Sequence, residues 1–182
     1  MSPGLATRVR LERPGPRRER EFLASVRRSR SLLRPWVAPP STAPAYRAYL
    51  RRLRGPGHDG YFVVLRPSGA LVGVINLSEI VRGSFRSAYL GYYAFIPHAG
   101  RGHMSEGLRL VLRRAFGRLG LHRVEANLQP GNKRSRVLVR RLGFRREGYS
   151  RRYLKVTGRW RDHERWALLR GDRLRPRRRQ EG

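Results

Sequence analysis

The stretch best suited to chemistry is Ala99-Gly-Arg-Gly-His-Met-Ser-Glu106. Two glycines one residue apart allow a tight turn and a close approach with no Cβ in the way. The pattern directly after it is helical. Leu108, Val111, Leu112, Ala115, Phe116 and Leu119 fall on one face, while Arg109, Arg113, Arg114 and Arg118 project elsewhere. A glycine loop that opens a helix presents unpaired N–H groups at the positive end of the helix dipole, a ready site for phosphate. Read alone, the eight residues fit an ordinary helix-opening turn equally well. The loop lacks the Lys-Ser/Thr ending of a P-loop, and Ser105 stands where a dinucleotide fingerprint has its third glycine. There is no Gly-x-Ser-x-Gly elbow. The histidines, at 58, 98, 103, 122 and 163, do not have metal-binding spacing.

Three carboxylates stand near this stretch in the sequence. Glu125 and Asn127 share one face of a predicted strand. Glu79 precedes a Val81–Phe85 segment, and Glu106 sits where a first-turn acid complements the helix dipole. Downstream, Gln129-Pro-Gly-Asn-Lys-Arg-Ser135 places Asn132 as a helix cap, and Gly143 stops that helix.

The elements that must position these groups follow from periodicity. Residues 1–16 read as an irregular lead-in with a short strand around Ala6–Leu11. Phe22, Val26 and Leu33 predict a helix from Arg17 to Leu33, closed by Pro35. A second helix runs from Ser41 or Thr42 to Leu53, and the glycine-rich 54–60 segment is a loop. The period then changes to strands at Tyr61–Leu65 and Ala70–Leu77, a short segment at Ile80–Arg82, and a long strand at Ala88–Ile96. Short connections make these an antiparallel meander. The glycine-opened helix and a strand at His122–Leu128 then imply a parallel crossover. Asn132–Leu142 is a short helix, and Phe144–Thr157 with Trp160–Leu169 make a final hairpin. The fold class is therefore α+β, a mixed, mostly antiparallel central sheet flanked by helices with one parallel strand pair. The phosphate-type loop sits where that pair opens, a favourable place for a ligand crevice.

Composition bounds the rest. At 182 residues the chain suits one domain, expected over 1–169, with an Arg-rich, disordered tail over 170–182. There is no cysteine for disulfides or metal, and no apolar run long enough to span a membrane. The expected location is cytoplasmic. Forty-two Lys plus Arg against twelve Asp plus Glu give a net charge of +30, a field that attracts polyanions without conferring specificity.

Motif by motif, the chain resembles the GNAT N-acetyltransferase superfamily, whose acetyl-CoA motif places a glycine loop on a helix N-terminus. The finer pattern resembles its RimJ-type branch, the N-terminal alanine acetyltransferases of ribosomal proteins. The residues that carry it are Val81-Arg-Gly-Ser-Phe85, Tyr89-Leu-Gly-Tyr92, His122-Arg123, Asn127, Pro130-Gly-Asn-Lys-Arg-Ser135, Leu142-Gly-Phe144, Glu147-Gly-Tyr149 and Trp160-Arg-Asp-His163. The likeness covers Gly60–Leu169 and is weaker over the first two helices.

The resemblance implies that the main chain of Arg101, Gly102, His103, Met104 and Ser105 holds the CoA pyrophosphate. Ala99 and Met104 depart from the family's usual residues, and Met104 is expected to narrow the phosphate pocket. It also implies a parallel pair splayed for acetyl-CoA, a backbone N–H among Ala94, Phe95 and Ile96 facing the thioester carbonyl, and a cofactor contact from Asn132. Many relatives place a Tyr seven residues after that Asn as the acid for the leaving thiolate. Val139 occupies that position here, and Ser135 is the expected substitute, with a bland alternative as a helix-start serine. Glu125 and Glu79 are rival candidates for the general base or the acceptor ammonium. Tyr92, Tyr149 and Tyr153 either line the acceptor groove or pack in the core.

The leading expectation is acetyl transfer to the N-terminal alanine or serine of a ribosomal protein. A chain at +30 should repel a free basic substrate, so ribosome or rRNA contacts through the Lys133–Arg152 region and the tail are expected. Two other functions fit: acetylation of a small amine, and a non-catalytic ribosome-assembly factor on the same fold.

Overall fold

A computed structural model describes residues 7–173. Seven strands form one sheet in the order β1-β2-β3-β4-β5-β7-β6. They are β1 (Val9–Glu12), β2 (Asp59–Leu65), β3 (Leu71–Val81), β4 (Ser87–Ala94), β5 (Arg123–Leu128), β6 (Arg145–Val156) and β7 (Arg159–Leu169). Every neighbouring pair is antiparallel except β4 with β5. That parallel ladder is short: Ser87, Ala88 and Tyr89 face Arg123, Val124 and Glu125, after which the strands part. Beyond Tyr89, β4 is paired only with β3; beyond Glu125, β5 is paired only with β7. The expected parallel pair and its splay are both present.

Helices cover the two faces. One carries α1 (Glu19–Arg28), α2 (Arg30–Leu33) and α3 (Ala43–Arg52), packed through Phe22, Val26, Leu33, Tyr46 and Tyr49 onto Phe62, Val64, Val74, Tyr93 and Phe95. The other carries α4 (His103–Phe116) and α5 (Lys133–Arg141) over the larger core, which includes Leu108, Val111, Leu112, Ala126, Val139 and Trp166. The sheet can host both layers because alternate strand residues serve opposite cores. Gly73 lets the layers close near the split, since a Cβ there would collide with the Tyr93 carbonyl and Met104 Sδ.

Three expected boundaries differ. The first long helix breaks at Ser29, which is fully buried and whose hydroxyl oxygen accepts the Ile96 N–H at 2.9 Å. Of the segment expected at Ile80–Arg82, Ile80 and Val81 belong to β3, which continues through an irregularity between Ser78 and Val81. The long strand ends at Ala94, and a cis Ile96–Pro97 bond follows. The expected tail begins as a helical turn, α6 (Arg170–Arg173), with Arg145 Nη2 3.1 Å from Asp172; residues 174–182 lie outside the described residues. Among the described residues, no helix is long and apolar enough to cross a membrane.

Candidate active site

The glycine loop leaves β4 and turns into α4 through Gly102, whose φ of 83° lies in the left-handed region that suits glycine. No side chain caps this helix. The first amides of α4 therefore point out with no helical partner, as the sequence predicts for His103, Met104 and Ser105. Arg101 is exposed beside them. A Cβ built on Gly100 meets nothing within 4 Å, so the loop's outer side is open.

Arg8, just before β1, braces the loop from outside. Its main-chain N–H and Nε donate to Glu106 at 2.9 and 2.7 Å, and Nη2 reaches the Arg101 carbonyl at 3.3 Å. Glu106 is thus both first-turn acid and anchor. Met104 corrects the expectation of a narrowed pocket. It is 8% exposed and packs into the core, so its side chain points away from the loop's amides. His103 is also buried, and its Nδ1 has no hydrogen-bond partner.

The three main-chain candidates at the end of β4 separate cleanly. Phe95 donates its N–H to the Val72 carbonyl at 2.8 Å, and Ile96 donates to Ser29. Both amides are thus taken by partners within the chain, so the expectation of a free donor at Phe95 or Ile96 is corrected. Strand alternation turns the Ala94 amide the other way, toward the side that β5 has vacated. Arg28 Nε also donates to the Ile96 carbonyl at 3.0 Å. The end of α1 therefore holds both polar main-chain groups of Ile96.

Across the split lies the start of α5. Asn132 caps it, its Oδ1 accepting the Ser135 N–H at 3.1 Å. Ser135 is partly buried. Tyr92 extends from β4 on the same face as Ala94, and its hydroxyl donates to the Ser135 carbonyl at 3.4 Å. Burial pushes the Tyr92 phenol up to about 12, which keeps it protonated near neutral pH. Val139, in the position where many relatives carry tyrosine, is fully buried in the core. Ser135 and Tyr92 thus bring hydroxyl-bearing residues from facing elements together, through the Tyr92 bond to the Ser135 main chain.

On the opposite face, Tyr89 and Tyr153 arch over β5 and β7 with their hydroxyls 3.4 Å apart. Tyr89 is the register partner of Glu125. Its phenol is pushed up to about 12, first by the Tyr153 hydrogen bond and by burial, then by the charges of Tyr153, Glu125 and Glu79. Both candidate carboxylates therefore lie within electrostatic reach of one hydroxyl, although β3 and β5 supply the carboxylates and β4 the hydroxyl. Their surroundings differ. Glu125 accepts from Arg123 Nε at 2.9 Å, and Arg123 also grips Glu147, holding the Glu147 carboxyl below its usual range. Glu79 is exposed, makes no ion pair or hydrogen bond among the described residues, and has a φ of 48° at the β3 irregularity. A bulge of this kind re-aims a side chain. The Asn127 Oδ1 is buried with no partner.

Tyr92 and Tyr149 do not join Tyr153 in one groove. Period-two alternation puts Tyr92 on the α4–α5 face, and Tyr149 donates to Asp162 Oδ2 at 2.5 Å at the edge of the β6–β7 hairpin. Tyr89, Trp36 and Gln129 were not visible as site residues. Gln129 Nε2 donates to the Trp36 carbonyl at 3.3 Å, and the Trp36 ring lies over Gly131, so the segment after α2 is pinned to the β5–α5 loop. Alternation from Tyr92 places Tyr89 on the opposite face of the sheet; the Trp36 contact spans distant segments and leaves no local signal.

The chain that carries this uncapped, glycine-opened helix and split parallel pair matches the GNAT acetyltransferase domain model over residues 8–145. The chain belongs to the GNAT acetyltransferase family. It is an N-acetyltransferase that uses acetyl-CoA. The ribosomal protein uS5-alanine N-acetyltransferase of Escherichia coli is 38% identical over 152 residues, covering 79% of this chain and 78% of that protein. The structure of Mycobacterium smegmatis RimJ in complex with CoA-disulfide superposes with a TM-score of 0.81 at 28% identity, covering 88% of this chain and 81% of that one. Spermidine N-acetyltransferase from Vibrio cholerae, solved with CoA and spermine, shares the fold alone, with a TM-score of 0.78 at 19% identity over 92% of this chain and 99% of that one. These GNAT relatives agree with the sequence-based expectation of a RimJ-like enzyme.

Proposed function

We propose that this GNAT enzyme acetylates the N-terminal amine of alanine or serine on a ribosomal protein. The observation that carries the reading is that Glu125, the register partner of Tyr89 on the last rung before the strands part, and Glu79, on the neighbouring strand, both act electrostatically on the Tyr89 hydroxyl. They form an anionic spot on a chain of charge +30, suited to one ammonium group. The 38% identity to the uS5-alanine enzyme supports the ribosomal acceptor.

The residues fit acetyl-CoA. The open, uncapped loop Arg101–Ser105 suits a pyrophosphate, the vacated edge of β4 suits an extended pantetheine arm, and Asn132 borders that path from α5. Acetyl-CoA supplies an acetyl group activated as a thioester. The chain's residues do the rest. Glu79, free of cations, binds the acceptor ammonium, and Glu125 takes the proton that the amine must lose to become a nucleophile. The Ala94 N–H faces the developing oxyanion, a role whose loss costs about 3 kcal/mol of barrier in comparable sites. Ser135 and the protonated Tyr92 hydroxyl offer hydrogen bonds to the departing sulfur. Phosphate-rich ribosomal particles would offset the repulsion between this chain and a basic substrate.

The test is acetyl transfer to a panel of free-N-terminal peptides and small amines, followed by CoA release. Preference for Ala- and Ser-initiated peptides supports the proposal. Turnover confined to polyamines, or none with any acceptor, refutes it.

A further inference from the structure

The corner between α1 and α2 carries a feature that acetyl transfer leaves unused. Arg27, Arg28, Arg30, Ser31 and Arg34 line a shallow, solvent-open hollow of about 430 Å³. Four of the five lining residues are arginines and none is acidic. Some arginines elsewhere are neutralised locally, among them Arg8 by Glu106, Arg18 by Glu12 and Glu21, and Arg123 by Glu125 and Glu147. Among the described residues no ion pair reaches Arg27, Arg28, Arg30 or Arg34. Arg28 has neutral partners, the Ile96 carbonyl and Ser25 Oγ.

Helix electrostatics explain part of the cluster. Arg27 and Arg28 lie in the last turn of α1, where cations complement the dipole. Arg30 opens α2, the unfavourable end for a cation, and Arg34 follows that helix. Four arginines gathered along one shallow hollow repel one another until an anion enters, and the hollow concentrates their field on that anion. Guanidinium forks match phosphate oxygens in pairs, which makes phosphate the fitting ligand. The corner also adjoins the catalytic region, because Arg28 and Ser29 hold the main chain of Ile96 just after β4.

We propose that the Arg27–Arg34 cavity is a phosphate site that seats the backbone of RNA associated with the acceptor protein. It rests on the reading of the acceptor as a ribosomal protein. RNA seated there would sit beside the mouth of the split and screen a basic substrate from the enzyme's own charge. The single phosphoryl group on the ribose of CoA is the other source of the same chemistry.

The experiment compares the full chain with an Arg27→Ala/Arg30→Ala/Arg34→Ala variant and an equally discharged control, Arg51→Ala/Arg54→Ala/Arg66→Ala. Binding to a fluorescein-labelled RNA hairpin is measured across a salt series. The cavity variant should bind about tenfold or more weakly at moderate salt, with the log–log salt slope reduced by about 2 to 3, while the control changes little. Acetylation of a free Ala-initiated peptide should persist in both variants. Equal behaviour of the two would overturn the proposal in favour of diffuse charge. So would intact RNA binding with loss of discrimination between acetyl-CoA and its dephospho form, which would assign the cavity to the cosubstrate. Failure of the wild type to acetylate any peptide counts against the substrate reading alone, since RNA binding is read separately.

Discussion

Asn132 can be separated into its structural and its chemical part. Its Oδ1 caps α5 by accepting the Ser135 N–H at 3.1 Å, while its amide N–H₂ is proposed to meet the pantetheine arm. Asn132→Ala removes both. Loss of an N-cap costs about 1 kcal/mol. For a chain of this size that corresponds to a fall in Tm of about 2–4 °C. Loss of one neutral hydrogen bond to the cosubstrate is about 0.5–1.5 kcal/mol, or roughly a 2- to 13-fold rise in KM for acetyl-CoA. Asn132→Ser discriminates between the parts, because serine caps nearly as well as asparagine but lacks the amide donor. Thermal melts and steady-state kinetics should therefore show Tm restored in the serine variant and KM still raised. If serine restores both, Asn132 is a cap and nothing more. If alanine changes neither, the α5 geometry does not matter to the site as argued.

Other outcomes follow from the same geometry. Tyr92→Phe removes a long, weak bond to the Ser135 carbonyl, so Tm should barely move. Its kcat should fall about tenfold or more with KM for acetyl-CoA unchanged, and an unchanged kcat would leave Ser135 as the remaining hydroxyl. Glu79→Gln should raise KM for the peptide, whereas Glu125→Gln should lower kcat at saturating peptide; the reverse pattern would exchange their roles. His163 is 3% exposed, and burial lowers its pKa below the ordinary 6.5. The imidazole is neutral in both states above that value, and below it the unfolded chain binds a proton that the fold resists. Stability therefore falls as pH drops through about 6.5, and melts at pH 7.5 and 5.5 should show a smaller loss for His163→Gln than for wild type.

The sequence disclosed whatever rests on local pattern. The change of period located the meander, the glycine-opened helix and the parallel crossover, and the Asn132–Ser135 cap lies within a single turn. Side-chain direction and long-range contacts were less legible. Met104 turns inward because Gly73 leaves room beneath it, a fact held 31 positions away in the chain. The Ile96 amide is taken by Ser29, which only packing of α1 against the end of β4 could reveal. The Tyr89–Tyr153 arch joins strands separated by two others in the sheet, and Glu79 is aimed by a backbone irregularity that no residue preference announces.

The most direct test of the central claim is to locate the acetyl group. A peptide beginning with alanine and containing an internal lysine is incubated with enzyme and acetyl-CoA, then sequenced by tandem mass spectrometry. The account predicts acetyl on the α-amine of the first residue, the lysine side chain unmodified, and loss of the product signal in the Glu79→Gln/Glu125→Gln variant at matched concentrations. Acetyl on the lysine, or product formation indifferent to both carboxylates, would contradict it.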